Sequence, residues 1–258
     1  MTLAAYEALL AAASEDPAVQ GLVLTGSRGR QGAPLHVGSD WDVRLIVGDD
    51  DLAGADDRYA TGHGSPVDVV VFERSRFERA ALPGAPDAWD RYSYVGVRLV
   101  IDKTDGALAK TIARKATLHA EEARTTASAA LGDYVNSMYR SRTNGRLGLR
   151  LAAHLDAVES IGPLLTFVFA TAGRVRPFHK WLAWDLERAA LPGPAWDREH
   201  LLGSVARLAA DGDVAAQASL FRDAEALARS SGLGSVIDGW EPDVAWLRES
   251  DSASAARA

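Results

Sequence analysis

Apolar residues at helical spacing run from Met1 to Ala13, and Pro17 lies just beyond, so the chain opens on a predicted helix. Gly21 to Thr25 is a short apolar run that stops at Gly26-Ser27, the pattern of a buried strand entering a tight turn. Gly29, Gly32, Pro34 and Gly38 mark the loop that follows. Trp41 to Val47 reads as the second strand, and the acidic, glycine-containing stretch Gly48 to Asp57 reads as a solvated loop. Val67 to Phe72 is almost uninterrupted in β-branched residues and predicts a central strand. Tyr94 to Ile101 predicts a fourth strand, closed by Asp102-Lys103.

Beyond Asp105 the strand pattern stops and alanine-, leucine- and arginine-rich helical periodicity takes over. Helices are expected over Gly106 to Arg142 (one helix or two), Arg146 to Ala172, Phe178 to Ala190, Arg198 to Ala210 and Val214 to Arg229, with a short one near Asp243 to Arg248. The breaks are Asn144-Gly145, Gly173, Pro192-Gly193-Pro194 and Gly232 to Gly234. The expected fold is therefore α+β. A small mixed-sheet domain over residues 1–104 precedes a helical bundle over 105–258, and the tail from Ser250 to Ala258 reads as disordered.

Composition narrows the chemistry. Apolar content of 47% and charged content of 24% are those of an ordinary globular protein. With no cysteine, disulfides and thiolate metal sites are excluded, and any metal must bind oxygen or imidazole. The net charge of −7 argues against a general nucleic-acid binder. The start of the chain lacks a signal-peptide pattern, and the longest nearly uncharged run, Ile161 to Gly173, is short for a membrane span. A cytoplasmic protein without a membrane partner is the expectation.

The reactive residues stand among the strands. Side chains two apart on a strand share a face, so Asp40 and Asp42 point together and Trp41 points the other way. Two like charges at a strand start are costly unless a cation compensates them. Asp68 is second in an otherwise apolar strand, where an unpaired carboxylate is expensive to bury. If its strand neighbours that of Asp42, the three carboxylates form an oxygen cage for one or two magnesium ions. Asp68 would then serve as ligand, general base or both, unless it merely pairs with Arg44 on the same face. Gly26-Ser27 ends thirteen residues before Asp40, and its backbone amides and hydroxyl suit a phosphate, with Arg28 and Arg30 as further contacts.

In this order, Gly26-Ser27, Asp40-x-Asp42 and Asp68 resemble the motifs of the nucleotidyltransferase superfamily, the polymerase-β-like fold. A small catalytic domain followed by helices looks most like the bacterial enzymes that adenylylate aminoglycosides or lincosamides. The segment Arg176-Pro177-Phe178-His179-Lys180-Trp181-Leu182 is similar to one such proteins use to reach the nucleotide's phosphates, which makes Lys180 a phosphate contact. The resemblance implies a magnesium-dependent transfer of AMP, or another NMP, from ATP or another NTP to a hydroxyl of a small molecule, with release of pyrophosphate and a role in antibiotic resistance. It implies a monomer or homodimer. Many relatives use a glutamate as base, which adds Glu73, Glu121 and Glu122 as alternatives to Asp68. The loop from Ser27 to Asp40 is slightly longer than the commonest form, and Arg44 replaces a frequently apolar residue.

Other features read as structural. Asp49-Asp50-Asp51 and Asp56-Asp57 are solvated charges, and the histidines, His36, His63 and His179 among them, lack metal-ligand spacing. Trp181 and Trp184 read as packing residues, as do Tyr134, Met138 and Tyr139, while Arg140, Arg142, Arg146 and Arg150 form a basic helix face or flank a triphosphate. The rival readings are a non-catalytic or antitoxin-type nucleotide binder, a protein-AMPylating enzyme and a metal-dependent glycosyltransferase.

Overall fold

The computed structural model describes residues 2–61 and 64–250. His63 and all of the expected disordered tail after Ser250 lie outside them. The fold is α+β, and the chain divides into two compact units, Met1–Thr117 and Leu118–Ala258.

The first unit holds a four-stranded mixed sheet in the order β3-β2-β1-β4, with β1 at Val19–Leu24, β2 at Trp41–Val47, β3 at Val67–Glu73 and β4 at Arg98–Asp102. Its helices are α1 (Thr2–Glu15), α2 (Gly26–Gly29, a single turn), α3 (Leu52–Tyr59), α4 (Arg74–Arg79) and α5 (Ala107–Ala116), with a 3-10 segment at Ala88–Tyr94. β1 runs antiparallel to β2 and β4, whereas β2 and β3 are parallel. That parallel pair corrects the expected loop over Gly48 to Asp57. Parallel neighbours need a crossover, which is most often helical, and α3 supplies it. Ala55 is fully buried, and Leu52 and Tyr59 pack against the same cluster.

Both faces of the sheet are covered, which explains why its strands read as nearly continuous apolar runs. On one face Trp41, Val43, Leu45 and Val47 join Leu22, Leu24, Val67, Val69 and Val71 beneath Tyr6 and Ala13 of α1. On the other, Val23, Ile46 and Phe72 pack against Phe77, Tyr94 and Leu108. Tyr94 belongs to the 3-10 segment, so the fourth strand, expected from Tyr94, begins later, at Arg98. Leu108 and the half-buried Ile112 place α5 in the first unit, although its periodicity matches that of the helices after it.

The second unit consists of α6 (Ala120–Arg146), α7 (Arg150–Thr171), α8 (Leu182–Arg188), α9 (Arg198–Asp211), α10 (Val214–Ser230) and α11 (Gly234–Asp238), with 3-10 turns at His179–Trp181, Pro194–Trp196 and Ala245–Arg248. The expected span Gly106 to Arg142 is two helices, α5 and α6. Leu131, Tyr134, Val135 and Met138 of α6 meet Leu164, Leu165, Phe167 and Val168 of α7 in one apolar core. By length and composition α7 is apolar enough to cross a membrane, and its second half is buried in this core.

Candidate functional site

The carboxylates converge because of strand register. In the parallel pairing of β2 and β3, Asp42 lies directly opposite Asp68, and Trp41 opposite Val67. Direct neighbours in a sheet project their side chains to the same face. Asp42 and Asp68 are therefore two half-buried carboxylates side by side, at the end of the sheet where β2 and β3 begin. Trp41 and Val67 turn into the opposite core.

The turn after β1 touches this pair. The backbone N–H of Thr25 donates to the carbonyl of Asp42 at 2.8 Å, and the Thr25 hydroxyl reaches the same oxygen at 3.2 Å. Gly26 has φ of +61°, and a Cβ built on it would stand 1.8 Å from Oδ2 of Asp42. Only glycine lets the backbone pass so close to the carboxylate. Gly29 is equally constrained, since a Cβ there would lie 2.1 Å from the carbonyl oxygen of Leu24. Ser27 is buried within the turn.

Asp40 sits half-buried one residue ahead of β2. Among the described residues, no three Asp, Glu or His side chains gather into a group that could hold a metal ion. The expected three-carboxylate cage is thus a pair, Asp42 with Asp68, with Asp40 outside the strand that aligns them. Such a pair suits magnesium, a hard ion commonly held by one or two carboxylates with substrate phosphates and waters completing the octahedron.

Arg28 and Arg30, expected as phosphate contacts, donate to backbone carbonyls. Arg30 is 4% exposed and donates to the carbonyls of Gly26 at 2.9 Å and Tyr92 at 2.7 Å, so it clamps the turn to the 3-10 segment. A buried guanidinium requires such acceptors to offset its desolvation. Arg28 donates through Nε and Nη2 to the Ser39 carbonyl at 3.1 and 3.0 Å and lies 4.6 Å over the ring of Trp41. Trp41 in turn stacks on Tyr6 with centroids 3.9 Å apart. Helix α1, Trp41 and Arg28 together fix the backbone that delivers Asp40.

Arg44, the suspected partner of Asp68, reaches Asp90 of the 3-10 segment at 3.8 Å. Thr61 pins β3 on its outer side. Its hydroxyl donates to the Val67 carbonyl at 2.7 Å and accepts from the Val69 amide at 2.8 Å, the two residues flanking Asp68. This bracket covers an otherwise open sheet edge. Sequence reasoning missed it, because a lone threonine in a loop carries no pattern.

Of the alternative bases, Glu73 is excluded by geometry. It ends β3 five residues from Asp68 and on the other face, about 16 Å away along the strand. Glu121 and Glu122 stand in the first turn of α6, in the second unit. Lys180 lies in that unit too, exposed on its 3-10 turn with Nζ 5.1 Å from the Trp181 ring centroid. Trp181 and Trp184 meet edge to face at 5.5 Å, which is packing. Arg140 is paired with Asp156 and Glu159, and Arg142 is buried against the Glu249 carbonyl. Arg146 lies 3.6 Å over Trp246, and Arg150 is exposed. His36 and His179 are exposed, and Asp49 accepts from the Ser75 amide at 2.9 Å.

No protein-family model matches the chain, and no curated protein matches it. Among solved structures it is similar to the crystal structure of a nucleotidyltransferase-like protein from Exiguobacterium sibiricum 255-15. The two share 14% identity at a TM-score of 0.39, over 93% of this chain and 90% of the other.

Proposed function

We propose that the protein is a magnesium-dependent nucleotidyltransferase that moves AMP, or another NMP, from an NTP to a hydroxyl of a small molecule, aminoglycoside-type antibiotics included. The observation that carries this reading is the in-register pair Asp42–Asp68 against the turn at Gly26, a position that accepts no side chain larger than hydrogen. Two in-register carboxylates with a close-approach glycine beside them fit a site that binds a metal-bound phosphate.

Asp42 and Asp68 would hold the magnesium, which when bound supplies neutralisation of the triphosphate's charge. The turn Gly26-Ser27 receives the phosphates. Asp68 takes the proton of the acceptor hydroxyl, whose oxygen forms a bond to the α-phosphorus in line. The bond from the α-phosphorus to the bridging oxygen breaks, and pyrophosphate leaves. Asp40 remains in the proposed catalytic set as a carboxylate adjacent to the pair.

The test is pyrophosphate release with magnesium, each NTP in turn, and a panel of aminoglycosides, lincosamides and sugars. Wild type is expected to turn over one combination, and Asp40→Asn to lose transfer while keeping its fold by circular dichroism. Undiminished transfer by the variant would sink the assignment of Asp40. A second reading, nucleotide binding without transfer, draws on the two-carboxylate rather than three-carboxylate arrangement. Calorimetric NTP binding with no pyrophosphate released across the panel would favour it.

A further inference from the structure

Two arginines at the C-terminal end of α6 form no ion pair among the described residues. Arg142 and Arg146 stand four residues apart, which puts their Cβ atoms about 5–6 Å from each other on one helix face. Both guanidinium groups gather on a single indole, Arg146 at 3.6 Å and Arg142 at 5.5 Å from the centroid of Trp246. Tyr139, on the preceding turn, has its ring 5.9 Å from Trp246 and 6.2 Å from Trp240. All five residues belong to the second unit, whereas Gly26, Asp42 and Asp68 belong to the first.

Arg142 is 7% exposed. Its Nη2 donates to the Glu249 carbonyl at 3.0 Å, but its buried Nη1 has no hydrogen-bond partner among the described residues. A guanidinium keeps its charge in a protein, so a buried one with an idle donor is costly. Burial first, and the neighbouring Arg146 second, pull the pKa of Arg142 down, and Glu249 opposes them. Glu249 is itself exposed and meets Arg142 with its backbone oxygen. Other arginines of the unit do find carboxylates: Arg140 pairs with Asp156 and Glu159, Arg174 with Asp185, and Arg229 and Arg248 with Glu225. The negative end of the helix dipole accounts for one basic residue in the last turn of α6. It does not account for a second, buried one a turn earlier. From Tyr134 to Leu155 the chain has four arginines and no aspartate or glutamate, against a net charge of −7 overall. What this end of α6 lacks is an anion.

We propose that Arg142 and Arg146 form a second anion site, one that takes a phosphate group. A phosphate carries about −1.5 to −2 at neutral pH, which matches two unpaired guanidinium charges. Its oxygens suit the planar fork of arginine. Arg146 is exposed and is held by the Trp246 ring, so its donors are presented to solvent on a fixed base. The idle Nη1 of Arg142 supplies the second contact. Leu147 and Leu149, both exposed, follow directly, so the phosphate arrives either free in solution or as the head of a lipid that meets these side chains. The site uses no residue of the transferase reading and stands or falls apart from it.

The indole N–H resonance of Trp246, identified by its loss in Trp246→Phe, reads the site locally. The intact chain is titrated with inorganic phosphate, without magnesium and with ionic strength held constant by chloride. The resonance is expected to shift to saturation, and Arg146→Gln to weaken the apparent Kd about tenfold or more. Arg146→Lys should recover part of the loss. Because Arg146 is exposed, the variants should keep the wild-type melt, which verifies that their fold is intact. Sedimentation with vesicles of phosphatidylcholine containing phosphatidylglycerol, against phosphatidylcholine alone, separates the two sources. Binding to the anionic vesicles that depends on Arg146, without a response to free phosphate, assigns a lipid headgroup. If neither probe gives a response that Arg146→Gln weakens, or chloride shifts Trp246 as strongly as phosphate does, the site is wrong.

Discussion

At the scale of single residues, two buried contacts set what the first unit tolerates. Gly26 carries φ of +61° and leaves 1.8 Å between a built Cβ and Oδ2 of Asp42. Gly26→Ala therefore strains the backbone and displaces the carboxylate at once. It should lower stability by about 1–3 kcal/mol and abolish transfer; a denaturant melt beside the pyrophosphate assay measures both. An unaltered melt would mean that the turn is looser than described. Lys115 is the second contact. It is fully buried, and its ammonium donates to the carbonyls of Phe77 and Ala80 near the end of α4 while facing the rings of Phe77 and Tyr94. Burial pulls its pKa from 10.5 down to about 8. Between these two values the unfolded chain binds more protons than the folded one, so this group makes stability rise with pH from about 8 to 10.5 and adds no slope below 8. Urea melts across that window should show the rise, and Lys115→Met should lose it. The variant also leaves two buried carbonyls without a donor, at a cost of about 2 kcal/mol or more. An identical slope in the variant would assign the pH dependence elsewhere.

At the scale of elements, sequence was most informative where periodicity and burial agree. Val67 to Phe72 announces itself as a strand because both sheet faces are covered, and the interruption by Asp68 is conspicuous for the same reason. The adjacency of Asp42 and Asp68 was legible only as a condition, since register is a property of two strands and neither encodes its partner. Helix α3 was hidden by its own composition. Asp56, Asp57 and Gly54 outweigh the three apolar residues Leu52, Ala55 and Tyr59 that pack it, and the need for a crossover appears only once β2 and β3 are known to be parallel. Arg28 and Arg30 both donate to backbone carbonyls, and arginines beside a glycine turn look alike in sequence whether they meet a ligand or a carbonyl. Burial decides, and Arg30 is buried. Arg44–Asp90 and the Thr61 bracket join residues distant in sequence, and no local pattern marks them.

At the scale of the whole molecule, each unit owns a core. The apolar clusters on the two sheet faces fall entirely within the first unit, and the cluster built on α6 and α7 within the second. A unit with its own core is expected to fold alone. Residues 118–250 expressed by themselves should give a cooperative thermal transition in far-UV circular dichroism, and a broad non-cooperative loss of signal would contradict the division. The same organisation confines the Asp42–Asp68 pair to the first unit and places Lys180 in the second. The central claim is narrower: Asp42 and Asp68 act as one centre. Pyrophosphate release by wild type, Asp42→Asn, Asp68→Asn and the double variant tests it most directly, with each variant's fold checked by its melt. Each single change should cost about 10²–10³-fold or more in kcat, and the double variant should be scarcely worse than either alone, as groups working as a unit behave. Independent, multiplying losses, or a single variant that retains wild-type turnover, would contradict it.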